Sequence, residues 1–116
     1  MQPITLEEFE KEALSALESI PENFKDKLVN VDIVVEEAPL RNKRGLLLGL
    51  YQGIPIANRG AYYGNVLPDK ITLYKKNIES ICPDRDTLKK EIQKVIIHEI
   101  GHHFGLDEEE IRKAGF

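Results

Sequence analysis

At 116 residues the chain suits one compact domain and leaves no room for a second. Hydrophobic residues make up 41% and charged residues 31% of it, a globular balance that excludes intrinsic disorder as its ordinary state. The formal net charge of -4 comes without any dense basic run, so nucleic acid is not an expected partner.

Cys82 is the single cysteine, which rules out an internal disulfide and fits a reducing compartment. The first twelve positions are acidic and amphipathic rather than basic and then apolar, so no secretory leader is expected. No apolar run approaches bilayer length. A cytoplasmic location without membrane contact is the expectation.

In chain order, Thr5 followed by Glu8 predicts a capping box opening a helix. Leu6, Phe9, Ala13, Leu17 and Ile20 then form one apolar stripe, and Pro21 stops it. Val29, Val31, Ile33 and Val35 alternate with Asn30, Asp32 and Val34, predicting a half-buried strand. Leu46 to Tyr51, bounded by Gly45 and Gly53, predicts a second strand. Glycines, Pro55, Pro68 and the pair Tyr62–Tyr63 mark the stretch from Gly53 to Asp69 as a loop. Ile71 to Lys75 predicts a short third strand, with Thr72 and Tyr74 opposite its apolar face. Because it is short and directly precedes the segment leading to the next long helix, it is the candidate edge for pairing with a further strand; the plainer reading is an ordinary sheet edge blunted by Lys75 and Lys76. After Pro83, Asp84 or Asp86 caps a helix carrying Leu88, Ile92, Val95, Ile96 and Ile100, and Gly105 ends it. A last helix is predicted from Asp107 to about Ala114, with Asp107 and Glu110 at capping-box spacing. The order helix, strands, helices points to an α+β fold: a small mixed sheet packed against helices.

All three histidines fall between His98 and His103, within the helix that begins near Thr87. His98 and His102 are four apart, so both project from one face and can converge on an ion. Glu99 stands about 100° around the helix from His98, near that ion without ligating it. Zinc on neutral imidazoles beside a carboxylate makes a water-activating site. The ion acidifies its water, and Glu99 takes the proton and passes it to a leaving amine. Gly105, seven residues after His98, supplies a turn through positive φ. Glu108, ten after His98, is then placed as the third protein ligand, leaving a fourth position open.

The plainer readings stand beside these. A His-Glu pair with a second His one turn on can arise by chance on a solvated helix. Here Val95, Ile96 and Ile97 leave little of the circumference exposed, and burying two imidazoles and a carboxylate without a metal is costly. For Glu108 the plainer reading is a solvated carboxylate in the acidic run from Asp107 to Glu110, where Asp107 and Glu109 are rival ligands, and the ligand role is preferred. His103 points about 100° away from His102 and reads as structural or exposed. Cys82 reads as a small buried hydrophobe. Tyr62 and Tyr63 could stabilise an oxyanion, but packing or loop anchoring is the simpler role.

The stretch VIIHEIGHHFGLDEEEI, from Val95 to Ile111, resembles the active helix of the bacterial minimal zincins, possible zinc metallopeptidases. The resemblance continues upstream through GLYQGIP (Gly49 to Pro55) and VLPDKITLY (Val66 to Tyr74), so it covers most of the chain from Leu46 onward. It implies an α+β fold with the active helix near the C-terminus. It also implies a zinc site of two histidines and an acidic third ligand, with a glutamate base: here His98, His102, Glu108 and Glu99. The family pattern usually places Asp where this chain carries Glu108. The single methionine is Met1, so the Met-turn of larger metzincins is not expected.

Two functions compete. The first is a zinc-dependent peptide hydrolase whose extended peptide or protein substrate adds to a strand edge. The second is a non-catalytic, metal-stabilised module that binds a protein or peptide. Glu99 favours the hydrolase, since a structural zinc site has no use for a general base; small size and a shallow cleft favour the module.

Overall fold

The computed structural model describes residues 1–39, 46–53, 68–105 and 107–116, with the side chain of His102 outside the described set. Tyr62 and Tyr63 also lie outside the described residues.

Helix α1 (Leu6–Glu18) opens on the expected capping box. Thr5 Oγ1 accepts from the Glu8 amide at 3.1 Å, and Glu8 Oε1 accepts from the Thr5 amide at 3.3 Å. Its inner face is Phe9, Ala13 and Ala16, continued by buried Ile20, while Leu6 sits at an exposed rim. Pro21 ends α1 by heading a further short helix, α2 (Glu22–Lys25), and a 3-10 turn (Asp26–Leu28) follows. Those extra turns delay the first strand. Strand β1 runs Val31–Glu36 rather than starting at Val29, which is 86% exposed.

Strand β2 (Gly49–Gln52) and strand β3 (Asp69–Tyr74) complete a three-stranded sheet in the order β1-β3-β2. The β1–β3 pairing is parallel and the β2–β3 pairing antiparallel, so the sheet is mixed. Strand β3 is therefore central, which corrects the expectation that Ile71 to Lys75 forms an edge. Ile71, Thr72, Leu73 and Tyr74 are all buried, because a central strand is covered on both faces and its two-residue alternation loses meaning. Among the described residues the edges belong to β1 and β2.

Lys75 does not extend that strand. It starts helix α3 (Lys75–Ile81), which sequence reading did not foresee. Lys75 and Glu79, one turn apart and both 4% exposed, form an ion pair at 3.2 Å. The other Glu79 oxygen accepts from the Ile4 amide at 3.0 Å, so α3 ties the N-terminal segment to the sheet.

Asp84, not Asp86, makes the next cap: its side chain accepts from the Thr87 amide at 3.0 Å in a 3-10 turn. Helix α4 (Leu88–Phe104) follows and buries Leu88, Ile92, Val95, Ile96, Ile97 and Ile100. Gln93 anchors it to α1, donating to the Ala16 carbonyl at 3.0 Å and to Ser19 Oγ at 3.1 Å. Gly105 closes α4 at φ 66, ψ 33, the left-handed conformation expected of it. Asp107 caps the last helix, α5 (Glu108–Lys113), by accepting from the Glu109 amide at 2.9 Å. That bond goes to the second helical residue, not to Glu110 as the capping-box spacing suggested. Buried Ile111 holds α5 against the core. No helix among the described residues is long and apolar enough to cross a membrane.

Candidate metal centre

Positions 98 and 102 both lie within the continuous helix α4, so their backbone places them one turn apart on one face. His98 is half-buried, and its Nε2 lies 3.3 Å from the backbone oxygen of Phe116. The segment after α5 is itself pinned. The Phe116 amide donates to the Ile111 carbonyl at 3.1 Å, its ring meets Phe24 edge-on, and Lys90 Nζ lies 3.8 Å over it. A histidine with one ring nitrogen on a backbone oxygen keeps the other nitrogen for a metal, the usual outer-shell arrangement of a ligating histidine. With Nε2 on that oxygen it is Nδ1 that stays open, and it is the imidazole and carboxylate chemistry of the set that fits zinc.

Glu99 is half-buried beside His98. Both line a groove of about 370 Å³ between α4 and the approach to β2, with Leu46, Leu47, Leu48 and Gly49 on the strand side. Gly49 sets the spacing of these elements. A Cβ there would fall 2.6 Å from Val95 Cγ1, 3.1 Å from the Thr72 carbonyl oxygen and 3.6 Å from Glu99 Cγ. Only the absent side chain lets α4 lie this close to the sheet.

Tyr74 is a neighbour that sequence reasoning missed. Burial, foremost, and then the negative charges of Glu36 and Glu99 hold its phenol above the ordinary tyrosine range. It therefore stays protonated and feels the charge on Glu99. No local pattern could have revealed this, because the two residues meet only through the β3–α4 packing.

Glu108 is the first helical residue of α5 and is exposed, with Glu109 and Glu110 beside it in the first turn. Glu109 pairs with Lys113 at 3.6 Å. Among the described residues no three His, Cys, Asp or Glu side chains come together as a metal-holding group. Since the His102 side chain lies outside that set, the described residues do not themselves assemble His98, His102 and Glu108.

His103 is exposed and structural in one: its ring stacks on Tyr51 with centroids 4.0 Å apart at 17°, and Phe104 meets it edge-on. Tyr51 in turn donates its hydroxyl to Asp69 Oδ2 at 2.6 Å, linking the end of α4 to β2 and β3. Cys82 is buried, and burial pushes its thiol up, as suits an inert core residue.

A mixed sheet with an edge strand beside a helix that carries His98, Glu99 and His102, closed by a left-handed glycine and followed by an acidic helix start, has the features of a zincin-like protein. The chain belongs to the zincin-like metallopeptidase family, whose model matches residues 28–115. A conserved hypothetical protein from Thermo thermophilus is similar in structure, with a TM-score of 0.56 and 26% identity over 87% of this chain and 94% of that one. None of the curated proteins compared with the chain matches it significantly.

Proposed function

We propose that the protein is a zinc-dependent peptide hydrolase in which His98, His102 and Glu108 hold the ion and Glu99 is the general base. The observation that carries this reading is the placement of Glu99 beside His98 in an open groove along an edge strand. Bound zinc would supply a Lewis acid that polarises a carbonyl and makes water a stronger acid. Glu99 takes a proton from the attacking water and returns it to the leaving amine, which needs its carboxylate beside the ligand face and not on it. The Phe116 oxygen orients the His98 ring.

Strand β2 takes over the role first expected of Ile71 to Lys75. Tyr74 donates its amide to the Leu48 carbonyl at 3.0 Å, and the register places Leu73 opposite Gly49. Antiparallel pairs alternate between bonded and non-bonded, so the Gly49 peptide groups face away from β3. An extended peptide adding to that side would run along α4 past Glu99.

The test is digestion of a peptide library by zinc-loaded wild type and Glu99→Gln. The substitution keeps size and hydrogen bonding, so fold and zinc content survive, while turnover falls by at least about 10²-fold. A wild type that holds zinc and cleaves nothing would instead support the metal-stabilised peptide-binding module, a reading favoured by the shallow groove. Equal turnover in both proteins would mean a contaminating protease.

A further inference from the structure

A second groove, of about 540 Å³, lies between α1 and β1, and neither His98 nor Glu99 lines it. Glu10, Ala13, Leu14 and Leu17 form its helical wall, and β1 from Val31 to Val35 forms the other. The Asn30 carbonyl accepts from the Asp69 amide at 3.0 Å. In an extended strand successive residues turn their N–H and C=O to opposite sides, so Asp32 and Val34 bond to β3 while Val31, Ile33 and Val35 present their peptide groups outward. Among the described residues no strand takes them up. The side chains of the same three residues pack on the core, and Leu14 stands 58% exposed above them. Exposed Asp32 and Glu36 stand on the opposite face of the strand, and exposed Glu10 sits on the helical wall. Among the described residues none of the three has an ion-pair partner. Lys11 pairs with Glu7, Arg85 with Glu8 and Glu12, and Lys70, in register with Asp32, makes no pair with it. The strand wall spans about 13 Å at about 3.3 Å per residue, room for four or five residues of an extended chain.

We propose that the β1 edge and α1 form a docking groove for an extended segment of a partner protein, in which apolar residues alternate with lysine or arginine. The segment adds to β1 as a fourth strand, its main chain bonding to Val31, Ile33 and Val35. Its apolar side chains fall on the α1 side, against Leu14 and Leu17, and its cations fall on the other face, opposite Asp32 and Glu36. Glu10 gives the groove side the same sign of charge. That sign also decides against a second copy of this chain. Two β1 edges paired with each other would collect Asp32 and Glu36 of both copies on one face, where like charges destabilise the pairing. The proposal stands whether or not the protein cleaves peptides.

Fluorescein-labelled probes about seven residues long, alternating lysine with valine, are titrated with the whole chain at low ionic strength while anisotropy is followed. Probes with glutamate for lysine, or serine for valine, should bind at least about tenfold more weakly. Methylating every second backbone nitrogen of the probe separates strand pairing from loose charge attraction. In one register it should abolish binding and in the other spare it, since only alternate amides face β1. Asp32→Asn combined with Glu36→Gln, both at exposed positions, should weaken the lysine probe at least about threefold, and circular dichroism verifies that the variant is folded. Glu99→Gln should bind the probe as wild type does. A probe that fails to bind, responds equally to both methylation registers, or ignores the Asp32→Asn, Glu36→Gln change in a folded protein would overturn the proposal. So would an affinity that moves with Glu99→Gln, which would put the probe at the metal centre. A dimer that the probe disperses in sedimentation velocity would overturn it too, by making the occupant a second copy.

Discussion

Replacing Gly49 by alanine probes the packing that positions the site. The new methyl would lie 2.6 Å from Val95 Cγ1 and 3.1 Å from the Thr72 carbonyl oxygen, both inside van der Waals contact. Neither neighbour yields easily. Val95 is 6% exposed, and a valine in a helix has one strongly preferred rotamer; the Thr72 carbonyl belongs to the central strand. Overpacking of this kind costs about 1–3 kcal/mol. Gly49 is not among the glycines with positive φ, so alanine also restricts the unfolded chain and returns about 0.4–1 kcal/mol. The overpacking term is the larger, and the expected net loss is roughly 0.5–2 kcal/mol. Urea denaturation with linear extrapolation measures it. Val95→Ala removes the clashing methyl, so the double variant should be more stable than the sum of the singles allows, by about 0.5–3 kcal/mol of coupling. Gly53→Ala is the milder comparison: its methyl would meet His103 Cε1 at 3.3 Å, at the rim of an exposed ring, and Tyr51 and Asp69 only at 3.8 Å. A Gly49→Ala protein as stable as wild type, or one uncoupled from Val95→Ala, would refute the close-approach reasoning.

Three further outcomes are expected. Hydrogen bonds from Arg85 and Thr5 hold the Glu8 carboxyl below its usual range, so its contribution is complete above the unfolded value and is lost as pH falls through the lowered folded value. Accordingly, the stability difference between wild type and Glu8→Gln, followed by calorimetry, should shrink in acid. Lys75→Met strands the Glu79 carboxylate in the core and should cost about 3–5 kcal/mol in denaturant titrations, and Glu79→Gln should cost a comparable amount, because its single amide oxygen cannot serve both the buried Lys75 ammonium and the Ile4 amide. Asp107→Ala should lose a helix cap worth about 1 kcal/mol while keeping zinc, whereas Glu108→Ala should keep the cap and weaken zinc binding in a competition titration.

Legibility in the sequence followed the range of the interactions. Thr5 with Glu8, Gly105 and the apolar face of α4 are local signals, read within one or two turns, and the structure carries each of them. The two short helical stretches after Pro21 escaped because four- and three-residue turns leave too few positions for a period to register. Helix α3 escaped for another reason: Lys75 and Glu79 look like a solvated one-turn pair, and nothing in their spacing shows that they are buried, with the Ile4 amide on Glu79. Central placement of β3 was illegible because strand order is set by which elements cover each face, not by the strand's own residues. For the site, the helical spacing of His98, Glu99 and His102 was the strongest signal in the chain. The Phe116 contact to His98, the Gly49–Val95 approach and the Tyr74–Glu99 proximity join residues at least 18 positions apart, beyond any local pattern.

Zinc content measured by inductively coupled plasma mass spectrometry, on wild type and His98→Ala refolded side by side with zinc and then desalted, tests the central claim most directly. The account predicts about one zinc per wild-type chain, the three-ligand pattern of a catalytic site, and well under that for His98→Ala. Wild type free of stoichiometric zinc, or His98→Ala retaining as much as wild type, would contradict it.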